Sequence, residues 1–224
     1  MNHPAGGDDD VDVSAPGWDA IDAALTGLHG AVQPQHVGYD PPPGLSNNLQ
    51  GCSAYPAGGH WHYVTYGLSE LYEADEASGD GDEREPGADP LVSGWGFELT
   101  LRVPRPSPRD RIPPDWPFTM INEVARFVNG GGAALGVGGR IDLRAAVTGH
   151  PGLPDAPPSG LTVFAVTPDP ALPAIDTPNG RVHFLQLVGV SAAEKERMLA
   201  TSTAQVLAEL AAADPLLITD PARA

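Results

Sequence analysis

The sequence predicts a single domain of the mixed α+β class, and three observations support this. Short segments of alternating apolar and polar residues, typical of strands, are spread along the whole chain. About three main helical patterns lie between them rather than in one block, which indicates a mixed β-sheet packed with helices. The hydrophobic fraction of 41% fits a globular protein, and no shift in composition divides the chain in two.

The predicted domain covers residues 18–221. Residues 1–17 are rich in Gly, Asp and Pro, and we expect them to form a disordered acidic tail. The 27 glycines and 25 prolines predict many turns and irregular connections within the domain.

The first helix is predicted from apolar residues at helical spacing between Trp18 and Leu28, and Gly30 can end it. Residues 38–59 are interpreted as turns and loop because Pro, Gly, Ser and Asn dominate them. Residues 60–66 then form a strand, and both of its faces carry large side chains, so we expect it to be covered on both sides.

A second strand is predicted over residues 95–103, with Phe97 and Leu99 facing one way and Glu98 and Thr100 the other. Gly94 and Gly96 indicate a bulge or a close approach of another backbone. After a proline-rich connection, a helix begins near Pro117 and ends near Gly130.

The last part of the chain is predicted to alternate strands with one long helix. Residues 141–147 and 161–166 form short strands, and residues 181–190 form a longer apolar strand that we place in the centre of the sheet. Ser191 and Glu194 make a capping box that begins a helix running to about Leu210. Residues 216–219 form a last strand-like piece.

The formal net charge of −17 argues against binding to nucleic acid or to an anionic membrane surface. An acidic surface attracts a basic protein partner, although acidity also serves solubility alone. The N-terminus lacks the pattern of a secretory signal, and no apolar run reaches the length of a bilayer span. We therefore expect a cytoplasmic protein.

The search for chemistry finds one pair of candidate metal ligands, His60 and His62, which project from the same face of a strand. A third ligand would have to come from elsewhere, such as His36, His183 or an acidic residue, so a structural hydrogen-bonding role is the favoured interpretation. Cys52 has no motif of an activated nucleophile around it.

Other motifs of catalysis are equally weak. The glycine-rich residues 130–139 follow a helix and contain no lysine, so they are not a phosphate-binding loop. Residues 73–90 carry eight carboxylates and one arginine, which indicates a solvated charge run rather than an ordered calcium site.

Five segments taken together resemble the suppressor-of-fused domain in content and in order. They are HWHYVTYGLSELY (60–72), SGWGFELTLRV (93–103), PPDWPFTMINEVARFV (113–128), TPNGRVHFLQLVGV (177–190) and LLITD (216–220). The resemblance covers most of residues 18–221 and is most specific in the first, second and fourth segments.

The resemblance implies a non-enzymatic module that binds a protein or peptide and needs no cofactor. In animals, suppressor of fused holds transcription factors in the cytoplasm by clasping an extended peptide between two lobes, and this chain resembles the N-terminal lobe only. Single-domain bacterial members are regarded as candidate immunity proteins for toxins, and the composition of this chain is similar to that of a high-GC bacterium.

The resemblance also implies where a partner would bind. Tyr72 closes the first segment, where the animal protein has a tyrosine near its peptide groove. Asp75, Asp80, Asp82 and Asp89 fall in a loop that holds acidic partner contacts there. A metal-assisted hydrolase using His60 and His62, and an oligomeric structural or regulatory subunit, remain the alternatives.

Overall fold

The computed structural model of the protein describes residues 14–39, 49–72, 92–131 and 135–223. The helices within these ranges are α1 (Pro16–His29), α2 (Trp116–Asn129), α3 (Ala192–Ala200) and α4 (Thr203–Ala211). The strands are β1 (Gln35–Gly38), β2 (Gly51–Pro56), β3 (His60–Tyr66), β4 (Val92–Pro104), β5 (Arg140–Asp142), β6 (Leu161–Pro168), β7 (Ile175–Thr177) and β8 (Gly180–Ser191).

The strands form one mixed sheet in the order β1-β2-β3-β4-β8-β6-β5, and β7 pairs with β8 beside this path. Only the contact between β4 and β8 is parallel among the strand pairs that the structure describes. The central position predicted for residues 181–190 is confirmed, because β8 lies between β4 and β6. The predicted α+β class is confirmed as well.

Helices cover the sheet on both faces. Helix α2 buries Ile121, Val124 and Val128 in the largest apolar cluster, which also contains Leu99 and Leu101 of β4. A second cluster joins α1 to the sheet, and a third joins α3 and α4 to β6 and β8. The residues of β3 are all buried, which confirms that this strand is covered on both sides. No helix in the described ranges has both the length and the apolar character needed to cross a bilayer.

Two predictions for the C-terminal part of the chain are wrong. The helix predicted from Ser191 to Leu210 is two helices, because α3 ends with Thr201 as its C-cap and α4 begins with Ser202 as its N-cap. The capping box of Ser191 and Glu194 is present as predicted. Residues 216–219 are not a strand: the backbone of Leu217 has a φ of 50°, which is incompatible with a β conformation.

The interpretation of residues 38–59 as turns and loop is wrong for residues 51–56, and residues 40–48 of that range lie outside the described residues. Strand β2 occupies residues 51–56 and pairs with both β1 and β3. Its residues are mostly small, and five of its six positions are buried, so the alternation that marks a half-exposed strand is absent. The strand predicted over residues 141–147 is shorter than expected, since β5 ends at Asp142.

Candidate partner-binding surface

Tyr72 lies at the end of a segment that is held in place by main-chain hydrogen bonds. The amide of Gly17 at the start of α1 donates to the Leu71 carbonyl at 2.9 Å. The Asn179 side chain donates to the carbonyls of Glu70 and Tyr72 at 3.0 and 3.2 Å. The Tyr72 ring is half-buried and packs against the apolar cluster beneath α1. The main chain at Tyr72 is therefore fixed by both α1 and the turn between β7 and β8.

Glu98 fixes the turn that leads to Tyr72. One carboxylate oxygen accepts the amides of Gly67, Leu68 and Ser69 at 2.9 to 3.2 Å and the Ser69 hydroxyl at 2.6 Å. The other oxygen accepts the Thr65 hydroxyl at 2.6 Å. Burial raises the pKa of the Glu98 carboxyl, and these donors oppose that shift. We call these residues the Glu98 cluster.

Trp95 stands on a bulge at the start of β4. Gly94 and Gly96 have φ values of 54° and 78°, which glycine adopts without strain, and the register with β8 shifts between Val92 and Phe97. A Cβ on Gly94 would come within 2.6 Å of the Leu68 carbonyl oxygen. The predicted bulge and close approach are both confirmed.

The side chain of Trp95 is 48% exposed, and its indole nitrogen donates to Asn129 at 2.7 Å. Its main-chain amide donates to Leu68, so Trp95 adjoins the segment that leads to Tyr72. Val92, which is 37% exposed, lies opposite Arg181 on β8, beside the turn that holds Tyr72. We call Tyr72, Val92 and Trp95 the Tyr72–Trp95 surface.

The acidic residues predicted for partner binding, Asp75, Asp80, Asp82 and Asp89, lie outside the described residues. Their role stays a prediction. The chain leaves the described structure after Tyr72 and returns at Val92, so the acidic segment is connected at both ends to the Tyr72–Trp95 surface.

His62 lies in a second buried network, which shares no residue with the Glu98 cluster. Its Nε2 faces the Asp169 carboxylate at 3.1 Å, which can only accept, so this nitrogen carries the proton. Nδ1 then accepts from Nε2 of His29 at 3.0 Å. Burial lowers the pKa of His62 to about 4, and the hydrogen bond to Asp169 opposes this.

Asp169 is the hub of this network, which we call the Asp169 cluster. The oxygen that His62 contacts also accepts from Thr100 at 2.8 Å and from the Arg102 guanidinium. Its other oxygen accepts the amides of residues 171 and 172. Arg102 donates in addition to Gln186, whose amide nitrogen reaches the carbonyls of residues 216 and 217. The cluster therefore ties the centre of the sheet to the C-terminal segment.

The two histidines predicted as candidate metal ligands have different hydrogen-bond partners. His62 takes part in the Asp169 cluster, and His60 contacts the Gly58 carbonyl at 3.3 Å. Among the described residues, no three or more His, Cys, Asp or Glu side chains are grouped so that they could hold a metal ion. Cys52 is buried, and burial raises the pKa of its thiol, which disfavours a nucleophilic thiolate.

Sequence reasoning missed His29, Arg102, Asp169 and Gln186 as parts of one network. The available signal was the run Glu98, Thr100 and Arg102, three polar residues on alternating positions of a predicted strand, which the structure places inside the sheet between β3 and β8. Polar residues in such a strand need buried partners.

The family of the chain follows from a model match that spans most of its length. The family model described as "Suppressor of fused protein (SUFU)" matches residues 46–224. The chain belongs to the suppressor of fused family. The resemblance seen in the sequence motifs is thereby confirmed.

Curated suppressor of fused proteins resemble part of the chain. The suppressor of fused homologues of Homo sapiens and Mus musculus are each 33% identical to it over 135 residues. That region is 60% of this chain and 25% of either homologue, so the chain matches about a quarter of the length of these relatives.

Solved suppressor of fused structures share the fold. A crystal structure of a Sufu–Fu complex contains a chain of TM-score 0.79 and 29% identity, with 94% of this chain and 92% of that one covered. Drosophila Suppressor of Fused has the same score and identity, but only 51% of its chain is covered. A SUFU homologue from Neisseria gonorrhoeae has a TM-score of 0.58 at 13% identity, over 92% and 94% of the two chains, and shows the fold alone.

Proposed function

We propose that this domain is a non-enzymatic binding module that captures a protein or peptide partner at the Tyr72–Trp95 surface. The observation that carries the proposal is the exposed Trp95, held on a glycine-flanked bulge next to the segment of Tyr72. Tryptophan and tyrosine are enriched among the residues that dominate binding energy in protein interfaces. Membership of a family in which Sufu forms a complex with Fu supports a protein partner.

Hydrogen bonds hold the described residues of this surface in place without a partner. Glu98 holds the turn at residues 67–69, Asn179 holds the Tyr72 main chain, and Asn129 accepts a hydrogen bond from the indole of Trp95. A surface that is already ordered loses little conformational entropy on binding. The hydrogen bonds of Glu98 join the first two of the five sequence segments, 60–72 and 93–103.

The proposed partner is basic. The eight carboxylates of residues 73–90 lie in sequence between Tyr72 and Val92, and the chain carries a net charge of −17. Charges around an interface speed association with a partner of opposite charge. Asp75, Asp80, Asp82 and Asp89 belong to this attracting group.

The finer proposal is that the partner is a toxin and that the domain is its immunity protein in the cytoplasm. The acidic charge supports it, because an acidic protein can cover the basic active face of a toxin by binding alone, without a catalytic step. Co-expression tests it: cells carrying a basic toxin encoded beside this chain should survive only when the chain is present. Survival that does not depend on the chain would contradict this part of the proposal.

A photo-crosslinking experiment tests the binding surface directly. A photoreactive phenylalanine analogue placed at Trp95 should trap the partner in the native host, and the same analogue at Leu199 on α3, which is 56% exposed, should not. The purified partner is then titrated calorimetrically. Trp95→Ala and Tyr72→Ala should each weaken binding by about 2 kcal/mol, and Leu199→Ala should not. Equal affinities for all three variants would refute the surface.

A second experiment tests the charge. Replacing Asp80 and Asp82 by Asn should slow association by about threefold at low salt and leave dissociation nearly unchanged. The control replaces Asp155 and Glu123, which lie outside the acidic segment, by their amides. An equal effect of both double variants would show that only the net charge of the chain matters.

A further inference from the structure

A cleft at the C-terminal end of α1 has no part in the proposed Tyr72–Trp95 surface. Its walls are Leu28 and His29 of α1, the turn 56–59 between β2 and β3, and Arg105 with Pro108 after β4. Its volume of about 440 Å³ is in the range of sites that hold small ligands or a few side chains of a peptide. The cleft is open to solvent on one side, so a longer ligand can extend beyond it.

Arg105 brings a positive charge to the cleft that no carboxylate neutralises within the described residues. Its guanidinium donates to the carbonyls of Asp110, Pro108 and Ala57, at distances from 2.7 to 3.4 Å. The guanidinium carbon also lies 4.9 Å from the centre of the Trp61 ring. These contacts fix the position of Arg105 but leave its full charge in place.

The connection that follows β4 adds two more cations. Residues 105–111 contain Arg105, Arg109 and Arg111, which are three of the 12 basic residues in the chain. Their one acidic residue, Asp110, accepts the Ser107 amide at 3.0 Å. Arg109 and Arg111 are exposed, and neither forms an ion pair with any described residue.

The local charge is therefore opposite to the charge of the whole chain. No Asp or Glu is among the described residues that line the cleft. At physiological ionic strength, charges are screened over about 8 Å, so a ligand in the cleft responds to Arg105 in its wall more than to distant carboxylates. A negatively charged ligand is favoured here despite the net charge of −17.

Apolar groups accompany the arginines. Leu28 is 37% exposed at the cleft wall, and Ile112, which directly follows Arg111, is 77% exposed. His29 is neutral at neutral pH, since burial and the nearby Arg102 lower its pKa to about 4. A ligand that combines carboxylates with apolar side chains matches this mixture better than a bare anion does.

We infer that this cleft is a second interaction site, which binds an extended acidic peptide segment of a partner protein. Carboxylates of the peptide pair with Arg109 and Arg111 at the rim, near the fixed charge of Arg105. An apolar side chain of the peptide enters the cleft against Leu28. The site is independent of the Tyr72–Trp95 surface and takes a ligand of the opposite charge.

The test uses a defined probe. A fluorescein-labelled peptide of eight alternating Glu and Leu residues, blocked at both ends, is titrated with the full chain at 150 mM salt by fluorescence anisotropy. Peptides with Gln or Lys in place of Glu are compared. The Glu peptide should bind at least about tenfold more tightly than the Gln peptide, and the Lys peptide should bind least.

Two kinds of variant separate charge from shape. Arg109→Gln with Arg111→Gln should weaken binding by about fivefold, because each exposed ion pair contributes little. Arg126→Gln with Arg144→Gln is the matched control. Gly58→Phe fills the cleft without changing its charge, and a Cβ at Gly58 meets no atom within 4 Å, so the fold should tolerate it. It should weaken binding by more than about tenfold.

The location of the bound peptide gives an independent readout. Amide signals of Gly58, Gly59 and Arg109 should shift on titration in heteronuclear NMR spectra, while those near Trp95 should not, and Trp95→Ala should leave the affinity unchanged. Three outcomes would each overturn the inference. They are tighter binding of the Lys peptide than of the Glu peptide, full affinity of the Gly58→Phe variant, and displacement of the Glu peptide by citrate at the same concentration as the peptide.

Discussion

Two buried carboxylates in this sheet, Glu98 and Asp169, are satisfied in different ways. Glu98 accepts only neutral donors, from the amides of residues 67–69 and the hydroxyls of Thr65 and Ser69. Asp169 accepts from a guanidinium, an imidazole and a hydroxyl. The first arrangement shapes one turn, whereas the second is an ion pair that links β3, β4 and β8 to the end of the chain. The comparison predicts that the two sites respond differently to loss of charge.

The largest effect is expected from Asp169→Asn. Arg102 is 1% exposed, so removal of its counter-charge leaves a guanidinium buried without a partner of opposite sign. Breaking such a pair costs about 3–5 kcal/mol. Urea unfolding at pH 7 measures the loss. Asp176→Asn is the control, because its ion pair with Arg181 is exposed and should contribute less than about 0.5 kcal/mol.

A loss below about 1 kcal/mol for Asp169→Asn would contradict the comparison. It would mean that the charge of Arg102 is stabilised by its neutral partners Gln186 and His62 alone. The ion pair of Asp169 would then stabilise the protein no more than the neutral hydrogen bonds of Glu98 do.

Acid should affect the Asp169 cluster through its histidines. Burial lowers the pKa values of His29 and His62 to about 4, below the value of 6.5 in an unfolded chain. The unfolded chain therefore takes up protons between pH 6.5 and 4 that the folded protein does not, and stability falls as the pH falls. The fully buried His62 should remove about 2 kcal/mol between pH 7 and pH 5, and the half-buried His29 about half as much, because solvent screens its charge.

The measurement is the free energy of unfolding in urea at pH 7 and at pH 5. His29→Gln keeps a donor for His62 and should reduce the pH-dependent loss by about 1 kcal/mol, because one titrating group is gone. His183→Gln, at an exposed position, serves as the control. Parallel pH profiles for the wild-type chain and His29→Gln would show that the acid sensitivity arises elsewhere.

Glu98→Gln should have a smaller effect than Asp169→Asn, since it leaves no buried charge unpaired. The new amide group directs its own N–H bonds toward donors of the 67–69 turn, and we expect a loss of about 2 kcal/mol. Because this turn leads to Tyr72, partner affinity should fall as well. Glu123→Gln on α2, whose carboxylate is exposed, is the matched control for urea unfolding. A Glu98→Gln variant as stable as the wild type would show that shape rather than charge satisfies the donors.

The comparison also explains what the sequence could predict. Strands β3, β4 and β8 and helices α1 and α2 follow from local periodicity, because their apolar positions repeat along the chain. The hydrogen-bond partners of the polar residues on these strands do not follow from local periodicity. His62 and Asp169 are separated by 107 residues, and only the folded sheet brings them together.

More of the Glu98 cluster than of the Asp169 cluster could be predicted from the sequence. Its donors lie about 30 residues from Glu98, and both segments belong to the motifs that carry the family resemblance. The glycines around Trp95 correctly indicated the bulge. Strand β2 was missed because small and buried residues carry no alternation. Asp169 lies in a loop after β6, where nothing local distinguishes it from a solvated aspartate.

The smallest expected difference compares one hydroxyl donor in each cluster. Ser69→Ala removes the 2.6 Å bond to Glu98, and Thr100→Val removes the 2.8 Å bond to Asp169. Glu98 depends on neutral donors alone, so the loss of one should cost about 1.5 kcal/mol. Asp169 keeps the charge of Arg102, and we expect about half that cost for Thr100→Val. Thermal unfolding of both variants beside Ser107→Ala, a hydroxyl change outside both clusters, resolves the difference. The reverse order would mean that the charge of Arg102 does not compensate Asp169 for the loss of a hydroxyl donor, which would contradict the proposed difference between the two carboxylates.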